Sequence, residues 1–264
     1  MDWATTLNLP SATLAGGKTI PKTVLTAQGG LNKAEEKLLK QYSRLTHVAT
    51  IQRATARIAP VSDDGHEIGS VIYLSCELMR SGGFGELAAV LHKAFPNPAV
   101  LLFEEPGGKV GVSVSIKRKS LAEKGAVVVE RTEAARLFDP NEQAYMDYLA
   151  DIRHAALPQS DLLAYVSALC DRTAKAAAIA SIGEYPRCKD ADTPQLMALL
   201  VHLRDSQNEI NVLRSQYRDK EATLAESSRL RMALKKKERE HARLANEIKE
   251  LCNGRVREDG PCIS

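Results

Sequence analysis

The stretch Thr193–Cys252, TPQLMALLVHLRDSQNEINVLRSQYRDKEATLAESSRLRMALKKKEREHARLANEIKELC, decides how this chain is read. It holds no glycine, and no proline after Pro194. Leucines and isoleucines recur at three- and four-residue steps among Lys, Arg, Glu, Gln and Ala, the pattern of an amphipathic helix. Thr193-Pro194 opens it with an N-cap residue and proline at the first helical position, and Asn253-Gly254 supplies a stop. A helix of about 60 residues would be about 90 Å long at 1.5 Å per residue. No small domain covers such a rod, so its apolar stripe needs a partner surface.

Within the stretch, Leu203, Ile210, Tyr217 and Leu224 recur every seven residues, with Leu213 between them. A second phase follows through Leu230, Leu234, Leu244, Ile248 and Leu251, displaced by about three residues as a stammer would displace it. These ten residues are the expected partner-binding seam. Ser206, Lys220, Ser227, Lys237 and His241 also fall on it, and polar seam residues select register or partner at some cost in stability.

Charge is concentrated in the same region. The chain carries only +3 overall, but Arg229 to Lys249 holds eight basic and three acidic residues. Lys235, Lys236, Lys237, Arg239 and Arg243 are therefore the candidate nucleic-acid contacts, through phosphate rather than bases, since no aromatic residue is interleaved. The bland account is a solvated coiled-coil face on which neighbouring Glu238, Glu240 and Glu247 neutralise part of the charge.

Upstream, the residues predict an α+β domain over 1–138, a helical connector over 139–192, the long helix over 193–252 and a tail over 253–264. An irregular arm leads to an edge strand at Ile20–Leu25. Asn32, with Glu35 three residues later, opens a helix whose stripe Leu38, Leu39, Tyr42, Leu45 and Val48 carries it to about Thr50. Ile51–Val61 reads as a strand and the β-branched block Glu67–Leu78 as a central one. Ser81-Gly82-Gly83 breaks it before a short helix, Phe84–Phe95. Val100–Phe103, the turn Glu104–Gly108 and the alternating Val110–Lys117 form a hairpin. Ala126–Glu130 adds a strand. Helices follow over Asn141–Leu157 and, Ala-rich, over Ser160–Ile182. The expected class is α+β: a small, mostly antiparallel sheet with helices on one face, then a helical region and a long coiled-coil-like helix.

Composition excludes several classes. Cys76, Cys170, Cys188, Cys252 and Cys262 form no CxxC and no metal spacing, and an odd, scattered set fits reduced thiols in a cytoplasmic protein. No apolar run approaches the length of a membrane helix, and Met1-Asp2-Trp3 lacks the features of a signal peptide.

Catalytic constellations are weak. Ser81–Gly85 lacks the ending of a P-loop and reads as a strand-to-helix turn. His66 and Glu67 beside Asp63-Asp64 offer a cation only the dressing of an exposed turn. A metal-dependent nuclease could draw on Glu35, Asp63, Glu104 and Lys117, but Ser115-Ile116-Lys117 puts serine where that chemistry wants a carboxylate. No catalytic residue, metal or cofactor is assigned.

Leu7-Asn8-Leu9-Pro10, Ile20-Pro21-Lys22-Thr23, Lys33–Leu45 as a charged helix, Leu91-His92-Lys93-Ala94-Phe95-Pro96 before the Val100–Phe103 strand, and the Val110–Lys119 strand follow one another in an order that resembles the bacterial domain-of-unknown-function family 4391. The resemblance covers residues 1 to about 140, and that family often carries a helical tail. It implies a setting beside helicases and DNA methyltransferases in antiphage defence or restriction loci, and it implies no catalytic residues. The function expected is a non-enzymatic accessory or scaffold subunit. It would dock a helicase, nuclease or methyltransferase, or a second copy of itself, with DNA backbone contact as an alternative and no membrane role.

Overall fold

The computed structural model describes residues 1–28, 30–123, 125–188, 192–218 and 223–253. Contacts divide the chain into two units, Met1–Ala177 and Ala178–Ser264. The first unit opens with α1 (Trp3–Thr6), β1 (Leu14–Thr19), α2 (Lys22–Gln28), α3 (Lys33–Leu38) and β2 (Tyr42–Gln52). It continues through α4 (Arg53–Ala56), β3 (Val61–Ser62), β4 (Glu67–Ile68), β5 (Ser70–Leu78) and α5 (Gly85–Ala94). It closes with β6 (Ala99–Glu104), β7 (Val110–Lys119), β8 (Val127–Phe138), α6 (Gln143–Asp151) and α7 (Leu162–Ala177). The second holds α8 (Ile179–Ile182), α9 (Thr193–Tyr217) and α10 (Leu224–Asn253).

Six strands form one sheet in the order β1-β2-β5-β6-β7-β8. All neighbours are antiparallel except β5 and β6, which run parallel because α5 crosses over between them. β3 and β4 pair separately.

The sheet is covered on both faces. Tyr73 and Leu74 are consecutive in β5 and so point to opposite sides. Leu74 joins Leu45, Leu87, Leu91, Leu101 and Phe103 beneath α5. The Tyr73 hydroxyl meets that of Tyr165 on α7 at 2.8 Å. The mostly antiparallel α+β sheet is the expected one, but helices were expected on one face only. The Ala-rich segment read as part of a connector supplies α7, whose Leu162, Val166 and Leu169 are fully buried.

Two local readings are corrected. The helix opened by Asn32 does carry its capping box: Asn32 Oδ1 accepts from the Ala34 and Glu35 amides at 2.9 and 3.0 Å, and Glu35 accepts from the Asn32 amide at 2.8 Å. It ends at Leu38, however, and Tyr42–Gln52 is strand. The cause is visible in β2, where the register shifts between Tyr42 and Arg44 and again between His47 and Ala49. Each irregularity offsets the two-residue alternation. The buried positions become Tyr42, Leu45, Ala49 and Ile51, whose first spacings imitate a helical stripe. The expected edge strand at Ile20–Leu25 is likewise displaced: the edge is β1, which ends at Thr19, and Lys22–Gln28 after Pro21 is helix.

Ser81–Gly85 is the strand-to-helix connection expected of it. It delivers Phe84, 3% exposed, onto Phe103 with ring centroids 4.1 Å apart. A Cβ at Gly111 would lie 2.3 Å from the Phe84 ring, so glycine in β7 is what admits that ring. Among the described residues no helix is long and apolar enough to cross a membrane.

Candidate functional site

The expected long helix is delivered as two, α9 and α10, which run antiparallel and take each other as partner. Leucine periodicity explains both helices. The fold-back follows because each buries its stripe on the other: Leu196, Leu199, Leu200 and Leu203 pack with Leu244, Ala245, Ile248 and Cys252. Two ion pairs cross the hairpin in this register, Arg214 to Glu238 at 2.8 Å and Lys237 to Glu209 at 2.6 Å.

Of the expected partner-binding residues, the structure brings together Leu203, Leu244 and Ile248 in one buried cluster, and Ile210 is buried as well. Leu213, Leu230, Leu234 and Leu251 are half-buried. Tyr217 is 43% exposed; Val212 and Met232, which are exposed too, lie outside that set, on the faces turned away from the seam. The Leu224 side chain, Lys220 and the tail after Asn253 lie outside the described residues. The seam is thus closed by apolar packing over Leu196–Leu203 and incompletely covered toward Tyr217 and Leu230. Of the polar seam positions, Ser206 is buried with its hydroxyl unpartnered, whereas His241 and Lys237 make contacts. The His241 Nε2 lies 3.0 Å from Ser181 Oγ of α8. Burial holds the His241 imidazole below its ordinary pKa, so it sits there neutral.

The basic run divides by face. Lys237 points into the hairpin, held by Glu209 and, at 3.0 Å, by Glu240, and these carboxylates hold its pKa up. Lys235, Lys236, Arg239 and Arg243 are exposed, as is Arg229. Sequence run alone could not separate Lys237 from its two neighbours.

The four carboxylates and amines considered for a nuclease go to different work. Glu35 completes the capping box and binds Lys93 at 2.9 Å. Asp63 caps its turn through the Gly65 and His66 amides at 2.8 and 2.6 Å. Glu104 accepts from Trp3 Nε1 at 2.6 Å and Ser75 Oγ at 3.2 Å, and the amino nitrogen of Met1 contacts it as well. Lys117, 3% exposed, donates to the His92 carbonyl in the last turn of α5, where an ammonium suits the helix dipole. Glu104 lies on the α7 side of the sheet and Lys117 on the α5 side, so they do not converge. Among the described residues no group of three or more His, Cys, Asp and Glu could hold a metal ion.

Other chemistry-bearing groups serve the core. His92 is fully buried, with Nε2 2.9 Å from Ser113 Oγ, and burial beside Lys117 pulls its pKa down to about 3. Burial pushes the Cys76 thiol far up and that of Cys170 to about 12, which leaves neither as a nucleophile at neutral pH. An open cleft of about 460 Å³ lies between α1 and β1, β2 and β5, floored by Thr46, Ser75, Glu77 and Glu104. Its best-placed carboxylate, Glu104, is already engaged by Trp3 and Ser75.

No curated protein and no solved structure matches the chain. A sequence profile described as Domain of unknown function (DUF4391) matches residues 7–240. That span takes in the sheet, both covering helices, α9 and the larger part of α10. The chain belongs to the DUF4391 family.

Proposed function

We propose that this protein is a non-enzymatic accessory or scaffold subunit of a bacterial antiphage defence or restriction-like complex. Its α+β unit and helical hairpin would dock a helicase, nuclease or methyltransferase of the same system, with self-association as the alternative use of the same surface. The observation that carries the reading is the graded seam of α9 and α10. It is closed over Leu196–Leu203 and opens toward the half-buried Leu213 and Leu230 and the exposed Tyr217. An apolar stripe left incompletely covered along a helix is what a helix-docking partner recognises. The defence setting rests on the family resemblance, and the non-enzymatic character on functional groups engaged in capping and core roles.

Tagged full-length protein from cells expressing its own locus is expected to carry one such enzyme at fixed stoichiometry. Leu213→Glu with Tyr217→Glu should release it while circular dichroism keeps its helical signal. Recovery of the protein alone and monomeric, with phage resistance intact after its deletion, would sink the reading.

A further inference from the structure

We infer that the outward face of α10 is a nucleic-acid interface, in which Arg229, Lys235, Lys236, Arg239 and Arg243 contact the phosphate backbone and Lys237 does not. The inference is independent of partner docking, because these cations point away from the seam that a protein partner would enter.

Helical geometry places the face. At 3.6 residues per turn, the five cations fall within an arc of about 120°, opposite the stripe of Leu230, Leu234, Leu244 and Ile248. All five are exposed, and among the described residues none takes part in an ion pair. The nearest acids, Glu238 and Glu240, stand outside this arc and hydrogen-bond elsewhere, although the charges of Lys236 and Arg243 still reach Glu240. Glu238 is committed to Arg214 and Glu240 to Lys237. The next carboxylate on the outward face is Glu247, beyond Arg243. Between Arg229 and Arg243 the arc itself thus holds five cations and no carboxylate.

The array also selects the class of ligand. From Arg229 to Arg243 the helix rises about 21 Å, over which a DNA duplex presents roughly 12 charges. A small anion would meet one or two of these side chains, whereas an extended polyanion meets all five. The three arginines suit phosphate oxygens bidentately. A lipid surface fits poorly, since a helix lying on a bilayer turns an apolar face downward. Here the apolar stripe is spent inside the hairpin, and Met232 is the one large apolar residue among the cations.

The test is fluorescence anisotropy of the full-length protein with a labelled mixed-sequence 20-base-pair duplex, between 50 and 200 mM NaCl. With three to five phosphate contacts, affinity should fall roughly 40- to 500-fold across that range. The variant Lys235→Gln, Lys236→Gln, Arg239→Gln, Arg243→Gln should keep its helicity, because every changed side chain is exposed. It should bind with a salt dependence of no more than about 4-fold. Lys237→Gln should bind as the parent does, and Lys236→Gln with Arg243→Gln should fall between. Parental binding by the four-residue variant would overturn the inference, as would no binding at 50 mM NaCl. Equal affinity for poly-glutamate or for phosphatidylserine vesicles would overturn it too, by reducing the face to a general polyanion patch.

Discussion

The Lys237 amine lies 2.6 Å from a Glu209 carboxylate oxygen, joining the middle of α10 to α9 across the hairpin. Through that contact a residue that reads as one third of a basic run becomes part of the hairpin's register. Lys237→Gln is expected to lower the thermal midpoint of the helical signal slightly, because the pair is partly exposed and screened. The drop should shrink further as salt is raised from 50 to 500 mM, in a melting series on both proteins. A drop that does not respond to salt would mean that Lys237 acts through packing of its stem.

Closure of the hairpin depends on its buried half. Ile248 is fully buried. Ile248→Ala should cost about 2–5 kcal/mol by loss of contacts and the cavity left behind. Tyr217→Ser, at the exposed end, should leave denaturant midpoints within about 0.5 kcal/mol of the parent. Chemical denaturation followed at the helical signal measures both.

Phe84 and Gly111 form a second coupled pair. Gly111→Ala would place a methyl group 2.3 Å from the Phe84 ring and displace it from its stack on Phe103. Overpacking of this kind costs about 1–3 kcal/mol, and Phe84→Ala alone about 3–5 kcal/mol. The double variant should be less destabilised than the sum, since removing the ring makes room for the methyl. Strict additivity in urea titrations would show that the ring does not press on Gly111.

The buried polar pair beneath α5 predicts opposite pH limbs. Burial lowers the Lys117 amine from 10.5 to about 8. Below pH 8 folded and unfolded chains both hold the proton. Between pH 8 and 10.5 only the folded amine loses it, so this group's contribution to stability rises with pH, by at most about 1.4 kcal/mol per unit. Lys117→Met should remove that rise. The raised Cys76 and Cys170 thiols act in the opposite direction above pH 9, but equally in both proteins, so the difference isolates Lys117. Urea midpoints of the two proteins at pH 7, 8, 9 and 10 should diverge in favour of the parent as pH rises.

On the acid side, His92 is neutral in the folded chain down to about pH 3 and titrates at its ordinary 6.5 when unfolded. Its contribution to stability is therefore complete above 6.5 and declines as pH falls from 6.5 toward 3. His92→Gln should flatten that part of the acid limb in urea midpoints taken between pH 7 and 4. An unchanged acid limb would mean that His92 gains a proton without unfolding.

What the sequence by itself determined was whatever neighbouring residues settle among themselves. The Asn32–Glu35 box, the start of α9 at Thr193-Pro194 (with Asp192, not Thr193, in the capping position), the turn between Glu104 and Val110 and the placement of α5 all rest on residues within a few positions of one another. So does the helical character of Thr193 onward, which follows from composition and period. Tertiary structure alone decided where long-range pairing overrides such signals. The irregularities in β2 exist only in its register against β5, and they made Tyr42 and Leu45 look helical. α7 finds the second face of the sheet through Tyr165 and Cys170, contacts far apart in the chain. Periodicity likewise announces an apolar stripe without naming what covers it. That α9 and α10 cover each other, with Lys237 held between Glu209 and Glu240, sorts one continuous run of lysines into a hairpin contact and an exposed basic face.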